Sequence, residues 1–226
     1  MVIALIVSGG KGVRMGSAIP KQFLELAGVP VLIRTLMAFD AVDEIDHLVL
    51  VLPEQYFSYF RELGYKPEKP LVLVPAGKER QDSVRNGLLK ASDLDEDSVV
   101  VIHDGVRPLV SAETIRMGIR HALEYGAAAC GVHPKDTIKG MDDKGFSSGT
   151  LDRNRYLMIQ TPQCFRTKEI LKGHDEILKQ RRMVTDDTMV YEESFGPVYL
   201  YEGEYANIKI TTEEDLLLAE QILSRK

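Results

Sequence analysis

The chain has 226 residues, of which 44% are hydrophobic and 27% are charged. This length can form one sizeable hydrophobic core, and no Pro-, Gly- or Ser-rich linker divides it, so we predict a single domain over residues 1–226. The net charge of −6 excludes nonspecific nucleic-acid binding by the whole surface, so any phosphate recognition must be local. No apolar stretch approaches the ~20 residues of a membrane span and no secretory signal is evident, so we expect a soluble cytoplasmic protein that binds no membrane.

Strands and helices are predicted to alternate along residues 2–132. The predicted strands are Val2–Val7, His47–Leu52, Leu71–Val74, Ser98–His103 and Ala127–Val132. The predicted helices are Val31–Phe39, Glu54–Leu63, Arg80–Ala91 and Ala112–Tyr125. Strands that are apolar on both faces and separated by helices indicate a mostly parallel sheet covered on both sides. The fold class is therefore α/β, with a Rossmann-like open sheet.

The first predicted strand leads into a glycine-rich segment, Gly9–Gly16, that carries the basic residues Lys11 and Arg14 and is followed by Lys21. Glycine backbone can approach a polyphosphate closely, and cationic side chains neutralise its charge. The spacing fits neither a dinucleotide fingerprint, which needs a glycine where Met15 stands, nor a Walker loop, which needs Gly-Lys-Ser/Thr. We predict a nucleotide site here; the alternative is a plain strand-to-loop turn.

Two further polar segments follow predicted strands, Pro75–Ser83 and Asp104–Pro108. In open α/β sheets, ligands bind outside the carboxyl ends of the strands, so all three segments are expected to meet at one edge. Asp104 is well placed to hold Mg²⁺, which takes one or two carboxylates together with substrate phosphate oxygens. The alternative is that Asp104 caps the next turn and pairs with Arg107. We do not expect His103 to act as a catalyst.

Covalent nucleophilic catalysis is not expected, because no Ser-His-Asp, Cys-His or metal-type histidine pattern is present. Cys130 and Cys164 are far apart and have no metal-type spacing, so we interpret them as buried free thiols of a reducing compartment. Further polar clusters border predicted loops or strands at Leu151–Asn154, Gln160–Gln163, Thr185–Asp187 and Asn207–Thr211.

These motifs, in this order, resemble those of the cytidylyltransferases that join CTP to a polyol phosphate. The resemblance is greatest to the 2-C-methyl-D-erythritol 4-phosphate enzymes of the non-mevalonate isoprenoid pathway, and it covers nearly the whole chain. It is carried by the glycine loop with Arg14 and Pro20–Gln22, and by Glu79–Val84, His103–Pro108, Lys135–Ile138, Asp152–Arg153, Gln160–Gln163, Thr185–Asp187 and Asn207–Lys209. It implies the nucleotide-diphospho-sugar transferase type of Rossmann-like sheet, with a projecting β-arm at about 133–156.

The resemblance also implies roles for individual residues. The catalytic groups would be Arg14, Lys21 and Lys209, with Lys21 at the reacting α-phosphate. CTP would contact Ser8, Gly9, Gly10, Gly12, Gly77, Arg80, Ser83, Asp104 and Gly105, and Asp104 would also hold Mg²⁺ or another divalent cation. The acceptor phosphate would meet Arg107, Thr137, Arg153, Thr161 and Thr185, together with Lys209.

In the family the arm crosses to a second subunit, so the resemblance implies a homodimer with shared active sites. The chain departs from the pattern in small residues, because many members carry alanine where Ser8 stands and some carry alanine at Gly105 or Val106. These departures leave the implied chemistry intact and do not identify the acceptor.

Ribitol 5-phosphate is the closest alternative acceptor, because its cytidylyltransferases share most of these motifs. The segments Lys135–Lys139 and Thr185–Asp187 look more like the methylerythritol branch, which we therefore favour. A glycosyltransferase would typically show Asp-x-Asp where this chain has Asp104-Gly105-Val106. A non-catalytic nucleotide-binding regulator would leave Lys209 and the segment 153–163 without a role.

Overall fold

The computed structural model describes residues 1–10 and 20–225. Within that part of the chain there are eleven strands and seven α-helices. The strands are β1 (Val2–Val7), β2 (Glu25–Leu26), β3 (Val29–Pro30), β4 (His47–Leu52), β5 (Leu71–Pro75), β6 (Val99–Asp104), β7 (Ala127–Val132), β8 (Ile138–Met141), β9 (Ser147–Leu151), β10 (Met158–Arg166) and β11 (Tyr199–Glu202). The helices are α1 (Val31–Asp40), α2 (Phe57–Glu62), α3 (Arg80–Leu94), α4 (Ala112–Tyr125), α5 (Thr167–Gln180), α6 (Asp187–Ser194) and α7 (Glu213–Leu223).

Seven strands form the central sheet, in the order β11-β7-β10-β6-β1-β4-β5. The pairs β6–β1, β1–β4, β4–β5 and β11–β7 are parallel, and only β10 runs antiparallel to its two neighbours. This confirms the mostly parallel open sheet. The sequence analysis did not predict β10, which lies between β6 and β7.

The antiparallel direction of β10 brings its first residues to the carboxyl end of β6. Gln163 is paired with Ile102, and the pairing of β10 with β7 shifts register between Ile159 and Gln163. Thr161, inside that irregular stretch, consequently lies beside Asp104, whose backbone N–H donates to the Thr161 hydroxyl at 3.1 Å. A strand that the alternating pattern did not include therefore contributes to the same edge as the parallel strands.

Apolar layers cover both faces of the sheet. One is formed with α1 and α4 and includes Leu36, Phe39 and Ile115, and the other is formed with α3 and α5 and includes Val84 and Ile170. Helix α3 approaches the sheet closely because it presents Gly87 there: a Cβ atom at this position would lie 2.2 Å from Leu5 Cδ1. This close packing fixes the start of α3 relative to the carboxyl end of β1.

The hairpin of β8 and β9 forms a separate two-stranded sheet, and every residue of β9 is exposed. It occupies the place of the expected arm, and Met141 and Phe146 present large apolar side chains to solvent there. Its contribution to a dimer stays a prediction. None of the helices in residues 1–10 and 20–225 has both the length and the apolarity that a membrane span requires.

Candidate active site

A cleft of about 550 Å³ opens at the carboxyl edge of the sheet. It lies where β1 and β6 end, beside the first residues of α3 and the segment before α7. Its lining among the described residues is Val7, Ser8, Gly9, Gly10, Lys21, Gln22, Lys78, Glu79, Arg80, Ser83, Asp104, Val106, Lys209 and Thr211. The three segments that the sequence analysis expected at one edge therefore do meet.

Eight residues that the sequence analysis selected line this cleft: Ser8, Gly9, Gly10, Lys21, Arg80, Ser83, Asp104 and Lys209. Four more adjoin the lining through direct contacts described below: Gly77, Gly105, Arg107 and Thr161. Gly12 and Arg14 lie outside the described residues. Sequence reasoning did not select Gln22, Lys78, Glu79 or Thr211 as site residues, although all four lie in segments that it quoted.

Asp104 is the electrostatic centre of the cleft. Its Oδ2 is 2.8 Å from Lys209 Nζ and 3.6 Å from Arg107 Nε, and its Oδ1 is 3.5 Å from Arg80 Nε. Burial alone would raise the pKa of this carboxyl, but the positive charges of Arg80, Lys209 and Arg107 hold that pKa well below its ordinary value. Asp104 is therefore ionised, and it gathers three cations around one carboxylate at the wall of the cleft.

Arg80 connects Asp104 to a second buried carboxylate. Its Nη2 donates to Asp187 Oδ2 at 2.9 Å, while the other oxygen of Asp187 is 3.1 Å from Nε2 of His174. Burial would lower the pKa of Arg80, but Asp187 and Asp104 outweigh it and raise that pKa above its ordinary value. Sequence reasoning named Asp187 only as part of a polar cluster and gave His174 no role, because nothing in the local pattern shows that they meet Arg80.

The turn before α3 is closed around the hydroxyl of Ser83. Ser83 Oγ accepts a hydrogen bond from Gly77 N at 3.0 Å and donates one to the Glu79 carbonyl at 3.0 Å. A Cβ at Gly77 would lie 2.3 Å from Asp82 Cβ, and one at Gly9 would lie 2.8 Å from Ser83 Oγ. The two glycines are therefore required for β1 and α3 to approach each other at the cleft.

Gly105 likewise leaves space for a neighbouring side chain, that of Ser8. A Cβ at Gly105 would lie 3.0 Å from both Cβ and Oγ of Ser8, and 3.1 Å from Leu32 Cδ1. Ser8 is therefore packed against a glycine that leaves room for its side chain.

A continuous hydrogen-bonded chain joins Asp104, Thr161, His103 and Arg107. His103 Nε2 is 3.1 Å from the Arg107 carbonyl, which only accepts, so this nitrogen carries the hydrogen. Burial lowers the pKa of His103 to about 4, so the ring is neutral and its Nδ1 accepts from the Thr161 hydroxyl at 3.1 Å. The Thr161 hydroxyl hydrogen is therefore directed to His103. Its implied contact with the acceptor phosphate stays a prediction.

Asn207 holds the segment that carries Lys209. Its side-chain amide donates to the Thr161 carbonyl at 2.8 Å and to Gln160 Oε1 at 3.2 Å, and its own carbonyl accepts from Arg107 Nη1 at 2.7 Å. Lys21 reaches the same segment, since its Nζ donates to the Ile210 carbonyl at 3.3 Å. The two lysines that the sequence analysis named as catalytic therefore lie on neighbouring parts of one wall.

The other residues implied for the acceptor lie outside this lining. Thr137, Arg153 and Thr185 are exposed, the first two at the base of the β8–β9 hairpin and the third just before α6. The Arg153 guanidinium donates to the Lys135 carbonyl. The structure therefore gathers at the cleft those residues implied for CTP that it describes, and leaves these three outside the lining within one chain.

The two thiols are placed as the sequence analysis expected. Cys130 and Cys164 are free and buried, and burial raises the pKa of the Cys130 thiol to about 12. No group of three or more His, Cys, Asp or Glu side chains with metal-binding geometry occurs in residues 1–10 and 20–225. Among those residues, Asp104 therefore does not belong to a cluster of possible metal-binding side chains.

Comparison with protein families matches residues 2–225 to 2-C-methyl-D-erythritol 4-phosphate cytidylyltransferase. The chain is 50% identical over 223 residues to the enzyme of that name from Clostridium botulinum (strain Loch Maree / Type A3), covering 98% of this chain and 96% of the relative. It is 46% identical over 227 residues to that of Clostridium perfringens (strain SM101 / Type A), covering 98% of both.

Solved structures agree with these matches. The 4-diphosphocytidyl-2C-methyl-D-erythritol synthase of Anaerococcus prevotii DSM 20548 superposes with a TM-score of 0.87 at 33% identity, covering 99% of this chain and 96% of that one. The cytidylyltransferase of Thermus thermophilus gives a TM-score of 0.77 at 28% identity and covers 100% of both chains. Since the family match, the relatives and the solved structures agree over nearly the whole chain, the chain belongs to the 2-C-methyl-D-erythritol 4-phosphate cytidylyltransferase family of nucleotidyltransferases.

Proposed function

We propose that the protein transfers the cytidylyl group of CTP to 2-C-methyl-D-erythritol 4-phosphate, in non-mevalonate isoprenoid precursor synthesis. The products are 4-diphosphocytidyl-2-C-methyl-D-erythritol and pyrophosphate. The observation that carries the proposal is the convergence of Lys21, Arg80 and Lys209 with Asp104 in one cleft at the carboxyl edge of the sheet.

The reaction needs alignment and charge neutralisation more than proton transfer. A phosphate monoester has a second pKa near ~6, so at neutral pH the acceptor is already a nucleophile. One of its oxygens forms a bond to the α-phosphorus of CTP, and the bond from that phosphorus to the bridging oxygen breaks, so that pyrophosphate leaves with the electron pair. Negative charge develops on the α-phosphate oxygens and on the leaving group, where fixed cations stabilise it.

The side chains of the cleft suit that task. Lys21 and Lys209 place ammonium groups at the wall of the cleft, and the guanidinium of Arg80 is fixed by its two carboxylate partners. The backbone of Gly9 and Gly10 offers close approach for the triphosphate, as the family resemblance implies for these positions. The neutral, fully buried ring of His103 fits a mechanism that uses no histidine as a general base.

A divalent cation such as Mg²⁺ fits the donor set of the cleft. Asp104 presents an ionised carboxylate there, and Mg²⁺ binds through one or two carboxylates together with substrate phosphate oxygens. The flexible ammonium of Lys209, whose side chain is 40% exposed, would yield the Oδ2 atom that it contacts. When bound, the ion would neutralise phosphate charge and orient the triphosphate.

We further propose that the arm at about 133–156 pairs two chains into a homodimer with shared sites. Its exposed apolar side chains, Met141 and Phe146 among them, support this, because such groups on a projecting hairpin are typical of an interface. The exposed positions of Thr137 and Arg153 would then be explained, since they would complete the acceptor pocket of the partner chain. The buried free thiols support the cytoplasmic location expected from the sequence.

The direct test measures pyrophosphate release from Mg²⁺ and CTP with 2-C-methyl-D-erythritol 4-phosphate and, in parallel, with ribitol 5-phosphate. We expect faster turnover with the first acceptor. Faster turnover with ribitol 5-phosphate would reassign the acceptor, and CTP binding without pyrophosphate release would indicate a non-catalytic nucleotide-binding protein. Transfer of a sugar from a sugar nucleotide would indicate a glycosyltransferase.

A matched pair of variants tests the role of the cleft. Lys21→Ala should lower turnover by ~10²-fold or more, the scale observed when one preorganised charge-stabilising group is removed. Lys179→Ala removes an exposed lysine from the outer end of α5 and should leave turnover unchanged. Full activity in the Lys21→Ala variant would refute the assigned role.

A further inference from the structure

A buried histidine stands behind the nucleotide cleft without being part of it. His174 on α5 is 3.1 Å from Asp187 at the start of α6, and their side chains are only 2% and 1% exposed. Burial would raise the pKa of Asp187, but Arg80 and His174 hold that pKa below its ordinary value, so the carboxylate is ionised. An ionised carboxylate only accepts, so Nε2 of His174 carries the hydrogen that it donates to Oδ1.

The second oxygen of Asp187 reaches the cleft through Arg80. Asp187 Oδ2 accepts from Nη2 of Arg80 at 2.9 Å, and Nε of the same guanidinium is 3.5 Å from Asp104 Oδ1. Arg80 lines the cleft and keeps 32% of its side chain exposed. The orientation of this partly exposed cation is therefore set by two carboxylates that contact different nitrogens.

The backbone beside Asp187 is fixed independently. Gln163 Oε1 accepts from the N–H groups of Asp187 and Thr188, at 3.1 and 3.2 Å. With the backbone fixed, only the side-chain torsions of Asp187 are left to be restrained. The hydrogen bonds that its two oxygens accept from His174 and Arg80 restrain them. Buried partners of this kind orient the groups that contact a ligand.

We infer that His174 is a positioning residue, which acts through Asp187 to hold the Arg80 guanidinium in its nucleotide-binding orientation. The inference rests on the proposed function only in taking CTP as the ligand of the cleft. A purely structural histidine would lower the melting temperature on removal without a specific effect on nucleotide affinity. A positioning histidine changes the affinity for CTP, and does so only while Arg80 is present to be positioned.

The test measures the dissociation constant for Mg²⁺-CTP by calorimetry, together with the melting temperature, in variants of the full chain. His174→Leu should weaken CTP binding by about fivefold, the scale of one net hydrogen bond. His174→Gln keeps an N–H donor near the position of Nε2 and should restore most of the affinity. His121→Leu is the matched control, because His121 lies on α4, among Tyr125 and Tyr199, and should change stability alone.

Whether the effect of His174 on CTP affinity depends on Arg80 distinguishes a positioning role from a purely structural one. In an Arg80→Lys background, a single ammonium cannot bridge both carboxylates, so His174→Leu should weaken binding much less than in the wild type. An equal loss in both backgrounds, or an unchanged CTP affinity in His174→Leu, would overturn the inference. If His174→Leu does not fold, His174→Asn carries the same comparison, because its shorter side chain withdraws the N–H donor from Asp187 while staying polar. A wild-type protein that binds CTP but releases no pyrophosphate would refute the proposed function and leave this inference standing.

Discussion

Lys209 Nζ lies 2.8 Å from Asp104 Oδ2, which joins the segment before α7 to the carboxyl end of β6 inside the cleft. Removing this lysine takes away one of the three cations that contact Asp104. In the proposed mechanism it also removes a charge that stabilises the reacting phosphates. We expect Lys209→Ala to lower kcat by ~10²-fold, as for the loss of one preorganised charge-stabilising group. Pyrophosphate release at saturating CTP and acceptor measures it.

The same variant separates catalysis from folding. Arg80 and Arg107 still contact Asp104 when Lys209 is absent, so the melting temperature should change little. A kcat within twofold of the wild type would contradict the catalytic role. A large loss of stability with unchanged kcat would show that the ion pair of Lys209 and Asp104 only holds the segment before α7 against β6.

The parts of the fold that the sequence predicted well are those that local signals determine. Helix α4 has its predicted bounds because Ser111 caps its start, accepting from Thr114 N at 3.1 Å, and Gly126 ends it at a φ of 88°. Strand β7 follows directly and also has its predicted bounds, because its residues are continuously apolar. Both boundaries depend on residues within a few positions.

What the sequence did not predict depends on contacts between distant segments. Strand β10 contains Gln160–Gln163, whose polar side chains and proline are not typical of a central strand. Its place between β6 and β7 is determined only by its pairing with these two strands. The partnership of Arg80 with Asp187 and His174 likewise joins α3, α6 and α5. The glycine and lysine motifs located the cleft, but local pattern could not supply the groups behind it.

The hydroxyl of Thr161 should prove important for stability. Thr161→Val would leave the Asp104 N–H and His103 Nδ1 buried without their present partner. One such unpaired group costs roughly 1–3 kcal/mol, and each kcal/mol corresponds to roughly 2–4 °C in melting temperature for a domain of this size. Thermal unfolding of the variant checks this, with Thr161→Ser expected to restore stability.

Thr150→Val provides the control, since Thr150 is an exposed threonine of β9. It should change the free energy of unfolding by less than about 0.5 kcal/mol. An equal loss of stability in Thr161→Val and Thr150→Val would contradict the importance of the hydrogen bonds made by the Thr161 hydroxyl. A rise in KM for the acceptor in Thr161→Ser would show that the methyl group, and not the hydroxyl, shapes that pocket.

Acid should destabilise the protein through His103 before the carboxylates are protonated. The folded ring has a pKa of about 4, whereas an unfolded histidine has one near ~6.5, so between these values the unfolded chain binds a proton that the folded chain does not. Stability is therefore highest above pH ~6.5 and falls as the pH decreases towards 4, by at most ~1.4 kcal/mol per pH unit from this group. Urea unfolding across that range measures the slope.

A His103→Gln variant should show a shallower slope over the same range, because glutamine does not titrate. Its stability at neutral pH will be lower, since glutamine cannot reproduce both hydrogen bonds of the ring, but only the pH dependence tests the prediction. Identical slopes in the two proteins would mean that other groups account for the acid sensitivity. An NMR titration in which the His103 ring of the folded protein protonates near the ordinary histidine value would also contradict it.

Neighbouring glycines of the first loop should respond differently to alanine. A Cβ at Gly9 would lie 2.8 Å from Ser83 Oγ and 3.0 Å from Ala76 Cβ, whereas one at Gly10 meets nothing within 4 Å among the described residues. Gly9→Ala must displace Ser83, whose hydroxyl closes the turn before α3, so it should destabilise the protein by about 1–3 kcal/mol. Gly10→Ala should leave the nucleotide-free protein as stable as the wild type.

Urea unfolding without nucleotide measures both variants, and adding Ser83→Ala to Gly9→Ala tests the assigned contact. The Ser83→Ala substitution removes the Oγ atom that the new methyl group meets. It should therefore lower the free energy of unfolding less in the Gly9→Ala background than in the wild type. If the two changes in the free energy of unfolding simply add, the strain arises from the contact with Ala76 instead. Equal stability of Gly9→Ala and Gly10→Ala would mean that the loop shifts freely away from α3, in which case the approach of β1 to that helix does not depend on Gly9.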